Sequence, residues 1–142
     1  MKAYTDLEQS KKLAEILPLE SADMHYNNVS IKGINYVDEH RAELMEYNRA
    51  IKVLSKYTIN PLFEVIPCWS LAALLGLMPF HIIENNNRFG FYQVKGFNKQ
   101  GETYRFGYKT NNDSFLFETS WYNDVIDAAF EMIVWLKENN KI

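Results

Sequence analysis

The stretch "PFHIIENNNRFGFYQVKGFNKQGETYRFGYKTNNDSFLFETS", residues 79–120, limits what this chain can fold into more than any other. Apolar and polar residues alternate around three turn clusters, Asn85–Asn87, Asn98–Gly101 and Asn111–Asn112. Strands are predicted over 80–84, 88–97, 102–110 and 113–119. A four-residue turn at Asn98–Gly101 sets Phe97 opposite Glu102 and Phe91 opposite Tyr108. A two-residue turn at Asn111–Asn112 sets Tyr108 opposite Phe115 and Phe106 opposite Phe117. Together these turns gather Phe89, Phe91, Phe97, Tyr104, Phe106, Tyr108, Phe115 and Phe117 on one face. Thr103, Gly107, Lys109 and Ser114 fall on the other, where Arg105 pairs with Glu118. A slip of one residue would scatter the aromatics, so pattern and turns support each other.

One such aromatic face needs a cover, and the rest of the chain offers helices. A capping box, Thr5 to Glu8, opens a helix over 5–17, which Pro18 ends. Residues 65–83 contain no Asp, Glu, Lys or Arg. Pro67 and Gly76 confine the helix within this run to 67–75, about 15 Å long. A bilayer needs about 30 Å, so the run reads as a core helix. A last helix over 123–139 has Asp124 and Asp127 at its start and Lys137 at its end. Val37, Leu44 and Ile51 recur every seven residues, with His40, Tyr47 and Leu54 between them. That spacing predicts a long amphipathic helix over 36–57, either laid on the domain or free to meet a partner. Residues 27–34 read equally as strand or loop. The expectation is one α+β domain over 1–142: a four-stranded antiparallel meander, one aromatic face covered by helices, plus an added amphipathic helix.

The residues that carry chemistry are sparse. A net charge of −3 argues against a general nucleic-acid binder. The single cysteine, Cys68, excludes an internal disulfide and suits a reducing compartment. The N-terminus has no secretory h-region. Cys68 falls in the first turn of the 67–75 helix, where a thiol is acidified, and His25, His40 or His81 could serve it as base. Its apolar neighbours favour plain packing. His25 with Glu20 and Asp23 has no spacing that fixes a metal. No nucleotide loop, zinc motif or nucleophile elbow occurs. No catalytic, cofactor or metal residue is therefore expected. "RFGF" and "RFGY" resemble the sheet aromatics that stack bases in some RNA-binding folds, but here they read as core.

Three further stretches, "TDLEQSKKLAEILPLESADMHY", "IPCWSLAALLGLMP" and "WYNDVIDAAFEMIVWLKE", resemble an uncharacterised family of short proteins of gut Bacteroidetes, phages and mobile elements. The resemblance covers about residues 4–26, 65–79 and 121–138, and residues 27–63 depart from it. It implies a cytoplasmic accessory protein and carries no activity, cofactor or site. The leading functional expectation is a non-catalytic protein binder, or a homo-oligomer, that uses helix 36–57 through Leu44, Tyr47, Ile51 and Leu54. The alternative is a signalling-nucleotide binder using Arg88, Arg105 and Lys109 beside aromatic rings. A Cys68-dependent enzyme is the remote third.

Overall fold

The computed structural model describes residues 1–31, 34–44 and 63–142. They form helices α1 (Leu7–Ile16), α2 (Leu71–Leu77) and α3 (Val125–Glu138). The strands are β1 (Met24–Ile31), β2 (Ile34–Leu44), β3 (Phe63–Cys68), β4 (His81–Glu84), β5 (Asn87–Asn98), β6 (Gly101–Lys109) and β7 (Phe115–Glu118). All strand pairs are antiparallel, in two sheets ordered β2-β1-β3 and β4-β5-β6-β7. The class is α+β, and the four-stranded sheet is a meander. The chain groups into two compact units, Tyr4–Ala73 and Met1–Ala3 with Leu74–Ile142.

In the first unit α1 packs on β3. Its cap is Asp6 rather than Thr5: Asp6 accepts from the Gln9 amide at 2.9 Å, and Gln9 returns a bond to the Asp6 amide at 3.1 Å. Thr5 is thereby released for the core. Its Oγ1 accepts from the Trp69 amide at 3.1 Å, and its carbonyl accepts from Tyr26 Oη at 2.7 Å. Tyr26, Ile66 and Cys68 form the buried cluster beside it. α1 and the sheet it packs on belong to one unit, and the meander belongs to the other.

Two helix expectations change. Residues 36–44 are strand, not helix, so the added amphipathic helix over 36–57 does not form as expected. β1 is the central strand of its sheet, and β2 supplies the ladder on one side of it, from Ile31–Ile34 to Met24–Leu44. Pairing with β1 outweighs both the seven-residue spacing and the helical bias of Glu39, Arg41, Ala42, Glu43 and Leu44. Residues 45–57 lie outside the described residues. The short helix begins at Leu71 instead of Pro67. Ser70 caps it, its Oγ accepting from the Ala73 amide at 3.2 Å. Pro67 lies in β3, an edge strand of its sheet, where a missing N–H is tolerated.

In the second unit the meander is built from short turns. Asn85 and Asn86 have φ of 50° and 63°, the two left-handed residues that a tight hairpin between β4 and β5 requires. β5 and β6 then pair without interruption from Gly90–Lys109 to Asn98–Gly101, with Phe91 opposite Tyr108 and Phe97 opposite Glu102 as the sequence predicts. The β6–β7 pairing differs. Tyr108 faces Phe117, and Lys109 faces Phe115. The connection runs from Thr110 to Ser114 with Asp113 at φ 57°, and a bulge follows Tyr108. A two-residue shift leaves faces unchanged, so Phe117 stays with the other aromatics. The bulge adds the odd residue that turns Phe115 to the opposite face.

Phe89, Tyr104, Phe106 and Tyr108 are buried on the first face. α3 packs on β6, with Ile126, Ala129, Met132, Ile133 and Leu136 fully buried and Trp135 stacked on Phe117 at 4.4 Å. Asp124 caps this helix through the Ile126 amide, and its other oxygen accepts from the Lys2 backbone amide at 2.6 Å. Phe97 departs from the predicted core: it lies at the far end of the hairpin and is 78% exposed.

Candidate functional site

Alternation along paired strands assigns the second face of the meander. It carries His81 and Ile83 from β4, Arg88, Tyr92, Val94 and Gly96 from β5, Thr103, Arg105, Gly107 and Lys109 from β6, and Phe115 and Glu118 from β7. Trp121, just beyond β7, reaches the same face: a Cβ built on Gly96 would lie 3.4 Å from its ring. Tyr92 lies even closer to the backbone. A Cβ on Gly107 would sit 2.5 Å from its hydroxyl and 2.6 Å from ring carbons. Glycine at these two positions is what lets aromatic rings rest on the sheet itself.

A charged chain ties the rings together. Tyr92 donates a short hydrogen bond to Glu118, whose Oε2 also lies 3.5 Å from Arg105 Nη1. The Arg105 guanidinium lies 4.7 Å from the Trp121 ring centre. Lys109 lies 4.9 Å from the Tyr92 ring centre and pairs with Asp113 at 2.9 Å. Phe115 packs on Tyr92 at 6.2 Å. Burial, then the Glu118 hydrogen bond and charge, push the Tyr92 phenol well above its ordinary range, so it stays a donor at neutral pH. Around this scaffold Ile83 (69% exposed), Phe115 (53%), Trp121 (45%) and Val94 (37%) remain open. A rigid sheet thus displays tyrosine, tryptophan and arginine held in place, with exposed apolar residues among them.

The ligand residues expected from sequence do share this face. Arg88, Arg105 and Lys109 are all on it, but each meets a neighbour: Arg88 donates to His81 Nδ1 at 3.3 Å, and the other two face Glu118 and Asp113. The RFGF and RFGY aromatics Phe89, Phe91, Phe106 and Tyr108 lie on the opposite, α3-covered side. Sequence reasoning missed Tyr92 and Trp121. The signal was two glycines in positions that pair across from Thr103 and Tyr92. Of the expected partner contacts, Leu44 is the last residue of β2, opposite Met24. Tyr47, Ile51 and Leu54 lie outside the described residues.

Cys68 ends β3 and is fully buried, so the helix-terminus acidification expected for it has no structural basis. Burial, with Asp23 adding to it, pushes its thiol up to about 12. Cys68 pairs with Met24 and Pro67 with His25, which puts Cys68 and His25 on opposite faces of their sheet. Among the described residues no group of three metal-ligating side chains converges, and no helix is long and apolar enough to cross a membrane. No family model matches the chain, and neither a curated protein nor a solved structure matches it significantly.

Proposed function

We propose that this protein is a non-catalytic binding protein, and that its contact surface is the second face of the four-stranded sheet. The arrangement of Tyr92, Arg105 and Trp121, pinned to the sheet beside exposed Phe115 and Ile83, carries the reading. Tryptophan, tyrosine and arginine are the residues that dominate binding energy at protein interfaces, and held rings lose little entropy on docking. The local charges of Arg88, Arg105 and Lys109 exceed those of Asp113 and Glu118 by one, in a chain whose net charge is −3. That asymmetry favours a partner with a modest acidic excess. The cations expected to hold a nucleotide already face carboxylates or His81, so no specific observation favours that alternative. The resemblance noted above supports a cytoplasmic accessory role in bacteria or phage, with a host or phage protein as the target.

The test is quantitative affinity capture from a gut Bacteroidetes lysate. It compares the parent chain with Phe115→Ser, Trp121→Ala and a Glu138→Ala control at the far end of α3. A partner retained by parent and control but reduced at least tenfold by both face variants is the expected result. Equal capture by all four chains would overturn the assignment of the face.

A further inference from the structure

The β5 strand outruns its neighbour. Its Asn87–Gly90 segment pairs with β4, whereas Gly90–Asn98 pairs with β6. Phe91 donates its amide to the Phe80 carbonyl, so the backbone groups of Phe91 point away from β6. Alternation then directs the N–H and C=O groups of Gln93, Lys95 and Phe97 outward as well. Among the described residues no strand pairs with this edge. The segment has no proline and no bulge, and all three residues are exposed.

We propose that this edge accepts an extended peptide segment of a partner protein, added as a further strand in line with β4. The inference rests on the protein-binding reading above and names the form the partner takes. The side chains along the edge define its chemistry. On the second face an added strand would meet Val94 and the Trp121 ring over Gly96, which calls for apolar residues. On the first face it would meet Gln93, Lys95 and Phe97. Lys95 is 52% exposed and already bonded to Glu102 at 2.7 Å, so with Gln93 it calls for polar residues and sets no charge on them. The partner segment therefore alternates apolar and polar residues. Main-chain bonds to the edge supply affinity, and alternate side chains supply selectivity.

The test begins with amide hydrogen exchange on the full chain. Free protein should exchange fast at residues 93, 95 and 97 and slowly at 94 and 96, which bond toward β6. A random heptapeptide library displayed on phage is then selected against the chain, and the most enriched peptide is synthesised. Expected are an alternating apolar and polar consensus, at least tenfold slower exchange at 93, 95 and 97 on adding that peptide, and loss of its binding in Lys95→Pro. Proline there removes an outward N–H and leaves the β6 ladder intact. Its thermal midpoint is measured alongside, and the exchange pattern of the parent stands without the variant. Slow exchange at 93, 95 and 97 in the free protein would overturn the proposal, because the edge would already be covered. Protection that rises with protein concentration alone would make the occupant a second copy and overturn it too. An open edge that selects no peptide would also overturn it, leaving Lys95 as a guard against pairing. A lysate partner lost in Phe115→Ser but kept in Lys95→Pro would preserve the face and reject the edge.

Discussion

Gly107 shows how much one missing carbon decides. The Tyr92 ring occupies the space its Cβ would need, at a separation no real contact tolerates. Gly107→Ala must therefore lift Tyr92 off the sheet and break its bond to Glu118. We expect a loss of about 1–3 kcal/mol in denaturant unfolding, the usual cost of overpacking. Unchanged stability would mean the ring does not rest there. Phe106 is fully buried between the sheet and α3, and Phe106→Ala should cost about 3–5 kcal/mol. Cys68 tests the enzyme reading from the other side. Its raised pKa and complete burial predict slow labelling by iodoacetamide at pH 7 in the native protein and fast labelling once it is denatured. Rapid native labelling would reopen the search for a base.

The elements were legible where local chemistry and long-range pairing agree. The short turn at Asn98–Gly101 and one aromatic face set the β5–β6 register in advance, because both demands have a single common solution. They failed at Phe115, where the turn from Thr110 to Ser114 is longer than the Asn111–Asn112 pair implies and a bulge reverses one side chain. Arg105 and Glu118 still meet, now as diagonal rather than direct neighbours. The strand at 36–44 was illegible because its pairing with β1 is a tertiary fact, while Val37 and Leu44 happen to repeat at a helical interval. The candidate face was half visible: its cations could be read, but the rings on Gly96 and Gly107 depend on a cross-strand geometry that no linear spacing encodes. α3 gives the clearest element-scale test. Asp124 both caps its first turn and holds the Lys2 amide, so Asp124→Ala should cost about 1 kcal/mol, read as a shift in unfolding midpoint.

For the molecule as a whole, the tyrosines of the meander unit predict how stability responds to alkali. Burial, followed by the Glu131 hydrogen bond and charge, pushes the Tyr122 phenol from 10.0 up to about 12, and Tyr92 and Tyr108 are raised further. Each folded phenol holds its proton more tightly than its unfolded counterpart. The stabilisation is complete below pH 10 and is lost as pH rises through about 12. The thermal midpoint should fall over that window, and less steeply in Tyr122→Phe. A flat profile to pH 12 would contradict the raised phenols of buried Tyr108 and partly buried Tyr92 and Tyr122.

The central claim is that binding occurs on the second face of the meander. Hydrogen-exchange footprinting of the captured complex tests it most directly. The account predicts slowed exchange across Tyr92–Gly96, Thr103–Lys109 and Phe115–Trp121, with the outer side of α3 unchanged. Slowing confined to Tyr4–Ala73, or to α3, would place the partner elsewhere and contradict the claim.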